Sequence, residues 1–375
     1  MKNFNIYADY AATSKPWSSA SDAIKKAMDM CWGNPSSQHA IGIDAKRAMN
    51  KASDTIRSAL DAYCYEIAWT SGGTEANNFL IPFAMGSKPR RKIFVSPIEH
   101  SSVLMGCKVL SERGFEVHYL PISSDGSVDI KMCENLFDED TLFCSAMLVN
   151  NETGSVSNIK ELSKMAHNVG AIFHTDAVQA VGHIYFSVLD LDADMVSFSS
   201  HKFGGPKGCG GIIYKPNILS PLMFGGHQNN GIRPGTENIP GIISSAAAIE
   251  QQMIWMQNPT NQISQVMETF IYEISKDKRI MFNGFSKKNH VSHIINISVL
   301  GVDNSAIVSR LGTMGICVSG GSACNSGVEK VSHVLSVLDP TSRGGIRISF
   351  GPSNTEQDAY VIATEIIKIS NSLMK

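Results

Sequence analysis

The strongest constraint on the fold is a run of short apolar segments alternating with helical patterns. The apolar segments are Glu66–Thr70, Lys92–Ser96, Phe115–Leu120, Thr141–Val149, Ala171–Asp176 and Asp194–Ser199. Helical spacing lies between them near Thr74–Met85, Ser101–Arg113, Asp129–Phe137 and Asn158–Val169. Strands that are apolar on both faces and separated by helices predict an α/β fold with a mostly parallel sheet covered on both sides. Ligands of such sheets bind where the carboxyl ends of the strands meet loops. Ahead of this region, apolar residues at 41, 45, 48, 49, 52, 56, 59 and 60 have the one-sided spacing of an amphipathic helix. Behind it, a helical stretch from about Pro240 past Lys276 leads into a smaller α+β unit. That unit has strands near His293–Val299, Ile316–Ser319 and Gly345–Phe350, and a closing helix from Thr355 capped by Asp358. The expected division is a large domain over residues 16–255 and a small one from residues 1–15 and 256–375.

The formal charge of −2 on 375 residues supplies no bulk attraction to nucleic acid or to an anionic membrane. No run approaches the ~18 consecutive apolar residues of a membrane helix, and Met1–Lys15 has no signal-peptide core. A cytoplasmic enzyme without direct nucleic-acid or membrane contact is the expectation. The eight cysteines, at 31, 64, 107, 133, 144, 209, 317 and 324, form neither a CxxC pair nor a zinc-finger array, so no metal site is expected. Most sit in apolar runs and read as small core residues, Cys317 among them in a buried strand. Cys324 does not.

Chemistry concentrates at the ends of the predicted strands. In Ser197-Phe-Ser-Ser-His-Lys-Phe-Gly-Gly-Pro-Lys-Gly208 a strand ends in hydroxyls, His201 and Lys202, then enters a Gly/Pro turn. A lysine there can condense with an aldehyde cofactor, and the hydroxyls and amides beside it suit a phosphate. Taken alone, His-Lys also reads as a polar loop with a solvated lysine. Three further segments change the balance: Val149-Asn-Asn-Glu-Thr-Gly154, His174-Thr-Asp-Ala-Val-Gln179 and Ser71-Gly-Gly-Thr-Glu-Ala76. Asp176 can keep a pyridine nitrogen protonated, Asn151 and Gln179 can bond a phenolic oxygen, and Thr74 opens a helix at an anion site. Together they describe a pyridoxal-phosphate (PLP) pocket.

On these segments, and on Tyr7-Ala-Asp-Tyr-Ala-Ala-Thr13, Gly33-Asn-Pro-Ser36 and Ile346-Arg-Ile-Ser-Phe-Gly351, the chain resembles fold-type-I PLP enzymes of the class V aminotransferase group. Within that group it resembles the cysteine desulfurases. The resemblance covers nearly the whole length. It implies Lys202 as the Schiff-base lysine, Asp176 as partner of the ring nitrogen, and Gln179 and Asn151 beside the phenolic oxygen. His100 would stack on the ring and move protons, while Gly73, Thr74, Ser199 and His201 would hold the phosphate. Thr236, in Arg233-Pro-Gly-Thr236, would reach the neighbouring subunit's phosphate, which implies a homodimer. Arg347 would bind the substrate carboxylate, with Asn34 nearby.

The segment Val318-Ser-Gly-Gly-Ser-Ala-Cys-Asn-Ser-Gly327 resembles the group I desulfurases and implies that Cys324 takes sulfur from L-cysteine as a persulfide, leaving L-alanine, and passes it to a thiol acceptor protein. A flexible loop with an incidental cysteine is the plainer alternative for that segment alone. Two residues depart from the family pattern: Lys15, and Ser200 where glycine is common. The sequence closes after its final helix, whereas group I enzymes that feed iron–sulfur scaffolds usually continue into a docking tail. A scaffold for iron–sulfur cluster assembly, a tRNA-thiolation enzyme or another acceptor all stay open. Rival activities are a selenocysteine lyase, a class V aminotransferase, and a sulfur-relay scaffold without catalysis.

Overall fold

The computed structural model describes residues 4–86, 89–258, 261–320, 332–342 and 344–374. The predicted Cys324 loop lies outside the described residues. Among these residues no helix is long and apolar enough to cross a membrane.

Twelve strands are described, in chain order β1 Ile6–Tyr7, β2 Glu66–Thr70, β3 Lys92–Val95 and β4 Glu116–Tyr119. Next come β5 Thr141–Ser145, β6 Ile172–Asp176, β7 Met195–Ser199 and β8 Gly210–Tyr214. The last four are β9 Ile280–Phe282, β10 Ile294–Val299, β11 Ile316–Cys317 and β12 Ile346–Ser349. Seven form one sheet in the order β2-β8-β7-β6-β5-β3-β4. All pairings in it are parallel except those of β8, which runs antiparallel to β2 and to β7. Two antiparallel neighbours cancel, so β2, β3, β5, β6 and β7 all point their carboxyl ends the same way. The interior strands β5, β7 and β8 are buried along their whole length, whereas the edge strand β4 exposes three of its four residues.

All six predicted strands of this sheet are present. The helix read near Thr74–Met85 is instead two, Gly73–Asn77 and Leu80–Gly86, and the one near Asp129–Phe137 shrinks to Ile130–Cys133. The long stretch from Pro240 breaks between helices Ile239–Gln257 and Ile263–Ile274. The helix caps follow the sequence closely. Asn158 accepts from the Glu161 amide, and Thr355 and Asp358 form a reciprocal capping box.

A three-stranded antiparallel sheet in the order β12-β10-β9 and a parallel pair β1-β11 make the second structural layer. Its core joins Ile6 and Ala8 to Phe270, Ile297, Ile316, Ile348, Phe350 and Ile362. Each such fully buried side chain contributes roughly 1.5–3 kcal/mol. The amino-terminal strand is therefore packed with the last third of the chain. Cys317 corrects the sequence reading: it is exposed, because β11 alternates and turns Ile316 inward. Cys64 is exposed as well, while Cys107, Cys133, Cys144 and Cys209 are core residues.

Candidate active site

Five loops, following β2, β3, β5, β6 and β7, converge at the carboxyl edge of the large sheet. They enclose a cavity of about 270 Å³ with Arg347, brought in by β12, on its far wall. Ten of the residues singled out in the sequence line it: Gly73, Thr74, His100, Asn151, Asp176, Gln179, Ser199, His201, Lys202 and Arg347.

Lys202 sits on the short 3-10 turn Ser200–Lys202 that continues β7. Its Nζ donates to the carbonyls of Ala11 and Ala12 at 2.6 and 3.0 Å, so the amino-terminal segment aims it into the cavity. Its own carbonyl accepts from Ser14 Oγ at 2.5 Å and His183 Nε2 at 2.9 Å. The neighbouring Ser200 is buried, its hydroxyl bonding Ser245 Oγ at 2.7 Å.

Asp176 ends β6 and is 3% exposed. Its Oδ1 accepts from the Val178 amide at 2.9 Å and its Oδ2 from Asn77 Nδ2 at 2.7 Å, and among the described residues no basic side chain is bonded to it. A carboxylate has about four lone-pair sites, so capacity remains for another donor. His100 caps the helix Ser101–Ser111, its side chain accepting from the Ser102 amide. Burial lowers its pKa, as does the Lys202 charge, against an opposing pull from Asp176. His201 is pushed down to about 4, first by burial and then by Lys202 and Lys207. Both imidazoles are neutral near pH 7.

The donor set fits a pyridine aldehyde phosphate. Asp176 faces the cavity without a cationic partner, and Gln179 Oε1 is buried with no hydrogen bond while its Nε2 donates to the Ala11 carbonyl at 2.8 Å. Gly73 leaves room where a Cβ would lie 2.7 Å from Val178 Cγ2. Thr74, Ser199 and His201 offer three side-chain partners on one wall for an anion.

Arg347 is 2% exposed. Its Nη2 donates to Asp9 Oδ1 at 2.7 Å and its Nη1 to the Asn151 carbonyl at 2.9 Å, while Nε is buried without a partner. Two predicted residues are not brought into the cavity. Asn34 is exposed and bonds the Ser36 amide, and Thr236 is exposed beyond Arg233, which pairs with Glu75 at 2.9 Å. Sequence reasoning missed Asp9, Asn77 and Ser102. Asp9 carried a signal, as a lone acid within the Tyr7–Thr13 segment. Asn77 and Ser102 carried none, being ordinary polar residues of helices.

A second cavity, of about 1010 Å³, backs onto the same lysine. Lys15, Trp17, His183, Tyr185, His290 and His293 are among its lining residues, so Lys15 belongs here and not to the smaller cavity. The rings of His183 and His293 stack at 4.4 Å, and His293 Nε2 is buried without a partner.

Residues 6–361 match the family described as aminotransferase class-V. Among curated relatives, the cysteine desulfurase IscS of Dictyoglomus turgidum is 39% identical over 360 residues, covering 94% of this chain and 91% of its own. The cysteine desulfurase IscS of Methanosarcina thermophila is 36% identical, covering 99% and 93%. Among solved structures, a NifS-like protein superposes with a TM-score of 0.90 at 31% identity, over 99% of this chain and all of that one. SspA in complex with cysteine gives 0.81 at 30% identity, over 94% of this chain and all of that one.

Proposed function

The chain belongs to the class V aminotransferase family, and from that premise we propose that it is a PLP-dependent cysteine desulfurase, converting L-cysteine to L-alanine and passing the sulfur on from Cys324. The observation that carries this reading is the convergence of Lys202, Asp176, His100 and Arg347 on one cavity of about 270 Å³. When bound, the cofactor supplies an aldehyde for amines and a ring that accepts the electron pair released at the substrate's Cα.

The remaining work falls to the chain's own residues. Lys202 would hold the cofactor's aldehyde carbon and supply the amine that moves the α-proton. Asp176 would keep the ring nitrogen protonated through its negative charge. Asn151 and Gln179 would bond the phenolic oxygen, and Gly73, Thr74, Ser199 and His201 would hold the phosphate. His100 would stack on the ring and give or take a proton. Arg347 takes the substrate carboxylate. The Cys324 thiolate attacks the substrate sulfur, forming an S–S bond as the C–S bond breaks, and hands the sulfur to a thiol acceptor protein. The acceptor is a scaffold of iron–sulfur cluster assembly, a tRNA-thiolation enzyme or another thiol protein.

The working unit is a cytoplasmic homodimer. Support comes from Thr236 and Asn34, which are exposed and do not line their own chain's cavity, and from exposed Met28, Met30, Trp32, Ile41 and Ile43 around the loop that carries Asn34. The domain division at residues 15/16 and 255/256 is supported by the separate core that joins Ile6 to Ile362. The test is an assay of alanine and sulfide from L-cysteine with purified protein, wild type against Cys324→Ala. Equal alanine release from both would sink the persulfide step.

A further inference from the structure

The small cavity holds a hydrogen-bond chain whose direction is fixed by chemistry. Asn77 Nδ2 donates to Asp176 Oδ2 at 2.7 Å and to Ser102 Oγ at 2.9 Å. Asn77 is 2% exposed, and its Oδ1 has no partner. Flipping that amide would set its oxygen against an acceptor-only carboxylate, so the NH2 group must face Asp176. The NH2 group therefore also faces Ser102, whose Oγ receives one proton and must send its own elsewhere. Its other neighbour is His100 Nδ1, at 2.8 Å. The backbone N–H of Ser102 points at the same nitrogen from 3.2 Å, as the helix cap requires. Two donors meet at Nδ1, which leaves it no proton of its own.

We propose that Asn77 and Ser102 are positioning residues that lock neutral His100 in its Nε2–H tautomer and tie that tautomer to the ionised state of Asp176. His100 thus enters the reaction able to give a proton from Nε2. It can act as a base at that nitrogen only after losing the proton it already carries. Protonating the ring requires Nδ1 to take a proton where two donors already point, which disfavours the cation. Burial acts in the same direction. The charged and titratable groups around His100 are Asp176, Lys202, His333 and Glu152. Of these, Asp176 alone is joined to it by the chain, and that link makes the ring-nitrogen partner and the proton donor one unit. The inference rests on the desulfurase reading only for where the Nε2 proton goes.

The test is nitrogen-15 NMR of histidine-labelled full-length protein, with and without PLP, His100 being assigned by its loss in His100→Gln. The expected wild-type spectrum has a pyridine-type Nδ1 and a pyrrole-type Nε2. A predominant Nδ1–H form overturns the proposal whether or not any variant folds. In Ser102→Ala the Nε2–H preference should weaken and the His100 pKa should rise, since a donor to the neutral ring is gone. The pH profile of kcat should follow that rise, with kcat down about tenfold. Ser102→Thr, which keeps the hydroxyl, should restore both. Nitrogen shifts and a pH profile unchanged in a folded, PLP-loaded Ser102→Ala would reduce the chain to scaffolding and refute the proposal. A wild type that shows the tautomer yet makes no alanine from cysteine counts against the desulfurase reading and upholds the lock.

Discussion

The two cavities that back onto Lys202 differ in a way their sizes conceal. The larger, about 1010 Å³, has aromatic and histidine walls, with Lys15 and Asp22 as its charged lining residues. Its histidines are neutral: burial holds His183 at about 4 and His293 well below its ordinary value. The smaller, about 270 Å³, gathers Lys202, Asp176 and Arg347 around two neutral imidazoles, His100 held at its helix cap and His201 by the Thr13 hydroxyl. Volume alone would choose the wrong one. Reactivity follows from charged groups gathered at one place, which requires loops anchored to the ends of buried strands.

Substitutions should separate the two cavities, and the largest separation is expected at Lys202. Lys202→Ala should lower alanine formation by at least about 10³-fold and abolish the visible absorption of the PLP-loaded protein. Borohydride treatment and peptide mapping of wild type should place the cofactor label on Lys202. Label on Lys207 or Lys215 would move the reactive centre elsewhere. Next, Cys324→Ala should fold and bind PLP but release alanine about 10²-fold more slowly, since nothing else carries the sulfur. Cys317→Ala, at an exposed site on β11, should change stability by no more than roughly 0.5 kcal/mol and leave turnover as it was.

Arg347→Lys should raise KM for cysteine about tenfold, with a smaller change in kcat, because an ammonium cannot hold Asp9, the Asn151 carbonyl and a substrate carboxylate in the geometry of a planar fork. An unchanged KM would assign carboxylate recognition to another residue. Acid should act through buried histidines of both cavities, His183 in the larger and His201 in the smaller. The folded-state pKa of His183 is depressed to about 4, so its contribution to stability is whole above the unfolded value of about 6.5. As pH falls the unfolded chain takes up the proton first, and the thermal midpoint should decline from pH ~6.5 towards 4. A small effect is expected for His293→Leu. Removing a buried nitrogen without a partner should alter stability by at most about 1 kcal/mol and flatten that acid decline, with activity retained. A large loss of activity would make the two cavities one functional site.

The site was more legible in the sequence than the scaffold around it. Lys202, Asp176 and His100 stand at strand ends, and a strand end can be read from an apolar run. β8 could not be read that way. It begins with Gly210 and Gly211, which look like the tail of the preceding glycine-rich turn, yet a Cβ at Gly210 would lie 2.7 Å from Gly72 Cα and the Phe198 carbonyl. Close strand packing, not turning, is what those glycines serve. The two-residue strand β1 is too short for any periodicity and is fixed by pairing with β11, which the sequence does show as a strand near Ile316–Ser319. Asn77 and Ser102 escaped notice for a related reason: their meaning lies in partners 99 and 25 residues from Asn77.

The placement of the first strand sets a timetable for biosynthesis. Asp9 meets Arg347 across 338 residues, and β1 has no strand to pair with until β11 has been made. At roughly 5–20 residues per second on the ribosome, the opening segment waits on the order of tens of seconds for its partner. Until then the segment that carries the Ala11 and Ala12 carbonyls has only its bonds to the large sheet's loops, such as Gln179 Nε2 to Ala11 and Ser14 Oγ to the Lys202 carbonyl. The nascent chain can therefore complete its large sheet well before it becomes an enzyme, because Arg347 joins the cavity only as synthesis ends.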